Sequence, residues 1–224
     1  MSRRPPKNFQ RFLAVLAIVG TITGCSKGPS GAATPLQADA ALQAASKAIG
    51  EQNPDKALRL LGPALEARPR DPEVLNMKGA ILTKLKDYDG ARSSYEQALQ
   101  LSPGFFPARY NIGALMALGG EWEPATTYFR NMLIDQPNNE LVKYKLLLLL
   151  LARDSDPELQ IKLFAEETPS NSPGWYYASA ARSYKQGNRR QAAKFTEVAR
   201  NIYGDQTAIF EDELQESGLA GLKK

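Results

Sequence analysis

An all-α fold built by repetition is what this sequence predicts, and three observations carry the prediction. When residues 72–105 are slid forward by 34 positions, Gly79 falls on Gly113, Tyr88 on Trp122, Ala91 on Ala125, Tyr95 on Phe129, Leu99 on Leu133 and Pro103 on Pro137. Slid back by the same step, Ala91 falls on Ala57, Ala98 on Ala64, Leu99 on Leu65 and Pro103 on Pro69. The second observation is that the recurring residues are small, which marks Gly79, Ala91 and Ala98 as points where two helix backbones approach closely. The third is the proline that closes each unit. At Pro69, Pro103 and Pro137 the missing N–H and the restricted preceding residue end one helix and lead into the next.

Small residues at unit positions 8, 20 and 27, aromatics at 17 and 24 and proline at 32 closely resemble the tetratricopeptide repeat. The resemblance covers about four fifths of the chain and implies a right-handed superhelical solenoid of about five helix-turn-helix repeats plus a C-terminal capping helix. It identifies a fold more than a task, because such repeats bind peptides and proteins of many kinds.

The chain starts with Arg3, Arg4, Lys7 and Arg11 and no acid, followed by an apolar run at residues 12–22. That is the n- and h-region of a signal peptide, too short for the about twenty apolar residues of a spanning helix. Ile22-Thr23-Gly24-Cys25 follows and resembles the lipobox of bacterial lipoproteins. Residues 1–24 are therefore expected to be a cleaved leader, with Cys25, the only cysteine, as the acylated N-terminus. Residues 25–37, rich in Ser, Gly, Pro and Ala, have little to bury and are expected to form a flexible tether. Ser26 is not the Asp that retains enteric-type lipoproteins at the inner membrane, which favours the outer membrane facing the periplasm.

The array occupies residues 38–206, divided at 38–71, 72–105, 106–139, 140–172 and 173–206. The first unit has Ala41 where a large residue is usual, as suits an end repeat, and Asn53-Pro54 opens its second helix. The third opens its second helix with Glu123-Pro124. The fourth departs from the pattern, with six leucines at residues 146–151 and a short second helix after Asp156-Pro157. A helix apolar all round is either buried or an exposed binding patch, and burial is expected inside a stack. The turn cluster at residues 168–174 is expected to be a flexible point. The fifth unit regains the pattern with Tyr176, Ala180, Gly187, Ala192 and Ala199. Residues 207–224 form the capping helix and tail, with Ile209, Phe210 and Leu214 on one side and Glu211, Asp212, Glu213 and Glu216 on the other.

Composition narrows the chemistry. The sequence has no histidine, which removes Ser-His-Asp triads and histidine zinc sites, and it has no phosphate loop, EF-hand spacing or nucleophile elbow. Acid pairs such as Asp87 and Asp89, or Glu166 and Glu167, are more simply read as solvated turn residues than as general acid and base. No enzyme, metal or cofactor is expected. Of 28 Lys and Arg the leader holds four, leaving 24 against 24 acids, so a nucleic-acid partner is disfavoured too.

What remains is a lipid-anchored scaffold that binds a protein or peptide partner in its concave groove and supports an envelope complex of pilus or secretion type. The same features admit a lipoprotein subunit of outer-membrane protein insertion or polysaccharide export, or a cell-wall glycan hydrolase or binder. In the repeat family the first helices line the groove and position 5 points into it, which selects Asn76, Tyr110, Tyr144 and Tyr177, with Asn111, Lys145, Tyr184 and Lys185 beside them. Three tyrosines in register would give an aromatic wall with a few positive charges, suited to a peptide. The packing positions are Gly79, Ala91, Ala98, Gly113, Ala125, Ala192 and Ala199. The carboxylate clamp of chaperone-binding repeats, Lys at position 5 and Asn at 9, is missing, for Asn76 and Ala80, then Tyr110 and Ala114, stand there.

Two or three acyl chains hold a protein at a membrane firmly where one does not. Cys25→Ser is accordingly expected to release the protein from the membrane or stall it with its leader attached. Mass spectrometry finding an unmodified Cys25 in the mature protein would reject the lipid anchor.

Overall fold

The computed structural model describes residues 35–165 and 172–221, and no strand occurs among them. The leader, Cys25 and most of the expected tether, and the greater part of the 168–174 turn cluster, lie outside the described residues. The helices among the described residues are α1 (Pro35–Gly50), α2 (Pro54–Ala67), α3 (Pro72–Lys84), α4 (Tyr88–Leu101), α5 (Phe106–Leu118), α6 (Trp122–Asp135), α7 (Glu140–Arg153), α8 (Pro157–Lys162), α9 (Pro173–Lys185), α10 (Arg189–Tyr203) and α11 (Ala208–Glu216). They fall into two compact units, one ending at Leu115 and the other beginning at Met116.

The turn inside each pair is the same device repeated. Gln52, Lys86, Gly120, Asp154 and Gly187 all have positive φ, at 58°, 66°, 83°, 53° and 80°. The amide after each reaches back to a carbonyl of the preceding helix: Asn53 to Ala48 at 2.9 Å, Asp87 to Leu82 at 2.9 Å, Glu121 to Met116 at 2.9 Å, Ser155 to Leu150 at 3.1 Å and Asn188 to Ser183 at 2.8 Å. This is the Schellman closure, in which one left-handed residue satisfies the orphan carbonyls of a helix end. In the first, second and fifth pairs the residue that donates it then caps the next helix with its side chain. Asn53 accepts from the Lys56 amide, Asp87 from Gly90 and Asn188 from Gln191. In the fourth repeat Asp156, also left-handed at φ 46°, takes the capping role one residue late and accepts from Leu159. That extra residue precedes the six-residue α8.

In the N-terminal unit the small positions are contact points. Ala91 and Ala98 on α4 are fully buried, and the Tyr95 ring between them lies on Gly79 of α3. A Cβ at Gly79 would stand 2.5 Å from Tyr95 Cε1, closer than van der Waals contact permits. Tyr95 cannot give way easily, since it is fully buried and its hydroxyl lies 3.3 Å from Thr83 Oγ1, which itself donates to the Gly79 carbonyl. Tyr88 behaves differently: expected to share the cover with Tyr95, it is exposed at the start of α4. Ala57, Leu61 and Ala64 of α2 close on Ala38, Leu42, Ala45 and Ile49 of α1.

In the C-terminal unit Ala125 and Phe129 of α6, and Ala192 and Ala199 of α10, are fully buried. All six leucines at 146–151 are buried, so the apolar run is core and not an open patch. The start of α9 is tied to the start of α7 by the Gly174 amide, which donates to Glu140 Oε2 at 3.1 Å. The Arg153 guanidinium lies over the Trp122 ring, 5.8 Å from its centre.

Two substitutions in one turn of sequence separate these effects. Lys86→Gly relieves a left-handed residue and is expected to raise stability by about 1 kcal/mol. Gly79→Ala is expected to lower it by about 1 to 3 kcal/mol through overpacking. Denaturant midpoints that move the same way for both would overturn this account of the pair.

Candidate functional site

The residues predicted to line the groove are held on the first helix of each pair, and the structure places most of them under cover. In the N-terminal unit Asn76 of α3 and Asn111 of α5 are buried and joined, the Asn111 amide donating to Asn76 Oδ1 at 2.9 Å. Tyr110 is buried as well, its ring 5.9 Å from Phe106. The expectation of an open tyrosine wall therefore does not describe this unit. An asparagine pair and a packed ring occupy the positions instead.

The C-terminal unit shows what can cover such a face. Tyr144 of α7 and Tyr177 of α9 meet edge to face at 6.2 Å, and both are fully buried. Phe210 of α11 lies against both rings, 5.5 Å from Tyr144 and 5.8 Å from Tyr177. Lys145, next to Tyr144, donates to Glu213 Oε2 of α11 at 2.8 Å, with 12% of the lysine side chain and none of the glutamate side chain exposed. Thus α11 does not merely close the last repeat; it lies across the first helices of two. Glu213 and Glu216, expected on its polar side, are buried. The correction has a physical reason: a carboxylate can leave water when an ammonium sixty-eight residues earlier in the chain meets it.

Tyr184 and Lys185 complete the predicted set and are half-buried. Lys185 pairs with Asp154 at the end of α7, at 2.8 Å, and so fastens α9 to α7. Phe210 and Glu213 are the residues of this face that register alone did not find. Asp87, a conceivable acid, is engaged as the cap of α4.

Burial dominates the titration of this face. The Tyr144 phenol is held well above its ordinary value of 10.0 by desolvation first and then by charge repulsion from the Glu213 carboxylate and the neighbouring phenol groups of Tyr177 and Tyr184. Among the described residues its hydroxyl is buried without a hydrogen-bond partner. Tyr177 is raised as well, again by burial, with Thr207 and Arg200 opposing.

Comparison with known proteins agrees with the geometry. Residues 72–105, the α3–α4 pair, match the family described as Tetratricopeptide repeat. The chain therefore carries a tetratricopeptide repeat at these residues. The structure of MamA from residue 41 to its end, from Desulfovibrio magneticus RS-1, shares its fold with a TM-score of 0.50 and 20% identity, over 78% of this chain and 99% of that one. Among curated proteins, the Protein O-mannosyl-transferase TMTC1 of Homo sapiens is 33% identical over 100 residues, and that of Mus musculus 31% over 100. The match takes in 43% of this chain but only 11% of either transferase.

Tyr144 offers a direct check on the energetics of the covered face. Its folded pKa is raised, so the protonated phenol stabilises the fold below pH about 10, and this is lost as pH climbs through the folded value. Tyr144→Phe is expected to leave the unit as stable as before, or up to about 1 kcal/mol more so, because an unsatisfied hydroxyl is removed. The variant should also show a smaller fall in stability above pH 10 in alkaline melts. A loss above about 1 kcal/mol at neutral pH would show that the hydroxyl has a partner.

Proposed function

We propose that this protein is a non-catalytic scaffold, acylated at Cys25 and held at the outer membrane of a bacterial envelope facing the periplasm. It binds a protein segment against the first helices of its repeats and so localises or assembles an envelope complex of pilus or secretion type. One observation carries the binding part: the Tyr144, Lys145 and Tyr177 face of α7 and α9 already holds a helix, seated by an aromatic ring and a carboxylate. A surface that seats one amphipathic helix has the shape and chemistry to seat another. The anchor rests on the basic start, the apolar run and Ile22-Thr23-Gly24-Cys25, and the outer-membrane placement on Ser26.

Site-specific photo-crosslinking in the producing cell tests the binding part. A crosslinking phenylalanine analogue in place of Tyr184 or Lys185, both half-buried on α9, is expected to attach to one and the same protein. The analogue at Ile202, exposed on α10, serves as the control and should capture nothing. Adducts at Ile202 alone would move the partner to another face, and none at any position would count against a scaffold.

A further inference from the structure

α11 sits on the face of α7 and α9 in a manner more like a bound ligand than a piece of core. It is nine residues long, too short to hold a helix by itself in water. It follows a break in the chain, Gly204 at φ 55° and a 3-10 turn through Thr207. Four of its side chains are buried: Phe210 against two tyrosine rings, Glu213 on Lys145, and with them Leu214 and Glu216. The Arg200–Glu211 pair that helps to hold it is solvent-exposed and contributes little. The fit is also incomplete, since among the described residues the Tyr144 hydroxyl is enclosed without an acceptor. An apolar cap would avoid burying a carboxylate, an ammonium and an unpaired phenol together, because each loses its hydration.

Building on the scaffold reading, we propose that α11 occupies the partner site in cis and that the partner enters by displacing it. The partner is an acidic amphipathic helix with an aromatic residue three positions before a glutamate, the spacing of Phe210 and Glu213. The aromatic ring takes the place between Tyr144 and Tyr177, the carboxylate meets Lys145, and an acceptor near the ring takes the Tyr144 O–H that α11 leaves unpaired. Because one face serves both helices, the free protein is closed and binding opens it. The population of the closed form sets how much affinity the partner loses to competition.

The test uses the full chain and a fluorescein-labelled peptide of residues 204–219. The peptide is expected to bind the Phe210→Ala/Glu213→Gln chain at least about tenfold more tightly than the unaltered chain, in which α11 competes. Adding Lys145→Glu should abolish that binding, and a peptide with lysine at the Glu213 position should restore it. Equal affinity for both chains, or no binding to the folded double variant, would overturn the proposal. If the double variant fails to fold, hydrogen exchange on the unaltered chain decides: amides of α11 should exchange at least about tenfold faster than those of α9 and α10, and equal protection would show α11 to be core. Should the proposal fail while the analogue at Tyr184 still captures its partner, the scaffold reading stands with a different ligand; if both fail, the scaffold reading falls as well.

Discussion

A polypeptide can reverse direction in three residues between two helices only if one of those residues takes a left-handed conformation, and the rest of this structure depends on that constraint. The turn at Gln52, Lys86, Gly120, Asp154 and Gly187 sets where each first helix stops, and through the amide that follows it sets where the second begins. In the second pair this brings Tyr95 down on Gly79. Only two of the five turn residues are glycine. The conformational cost at Gln52, Lys86 and Asp154 is accepted because the packing on either side determines the turn.

The repeat was open to reading because its cause is local. A small residue at a crossing, a proline at a boundary and an Asn or Asp at a helix start each act within a few residues, so their spacing along the chain is their spacing in the fold. Asn53, Asp87 and Asn188 cap the helices that follow them for this reason. Tyr88 was harder, since its place in the heptad with Tyr95 says nothing of whether a neighbour reaches it; a position at the first residue of α4 leaves it at the surface. The leucine run left two readings open in the sequence, core or patch. Coverage by other elements is a tertiary fact, and the burial of all six settles it as core.

The candidate site was half legible. Register along the first helices picked out Tyr144, Lys145 and Tyr177 among the groove residues, and the structure brings the two tyrosines together around the Phe210 ring with Lys145 on Glu213. What register could not supply was the occupant. Glu213 lies in an acidic stretch with Glu211 and Asp212, which reads as a solvated side of a helix, and nothing local distinguishes the one carboxylate that Lys145 draws inward. Asn76 and Asn111 show the same limit, for a hydrogen bond between two side chains thirty-five residues apart leaves no pattern other than the repeat itself.

The six buried leucines have a bearing on biogenesis. About sixty residues separate the end of that run from Phe210, and the cover supplied by α9 and α11 is made after the run itself. At a synthesis rate of about 5 to 20 residues per second, the interval is roughly 3 to 12 s. During it the nascent chain presents a run of six leucines with α6 in place but without the cover of α9 and α11. Any change that weakens the docking of α9 prolongs that exposure, and so reduces the yield of soluble protein before it alters the melting temperature of the molecules that do mature.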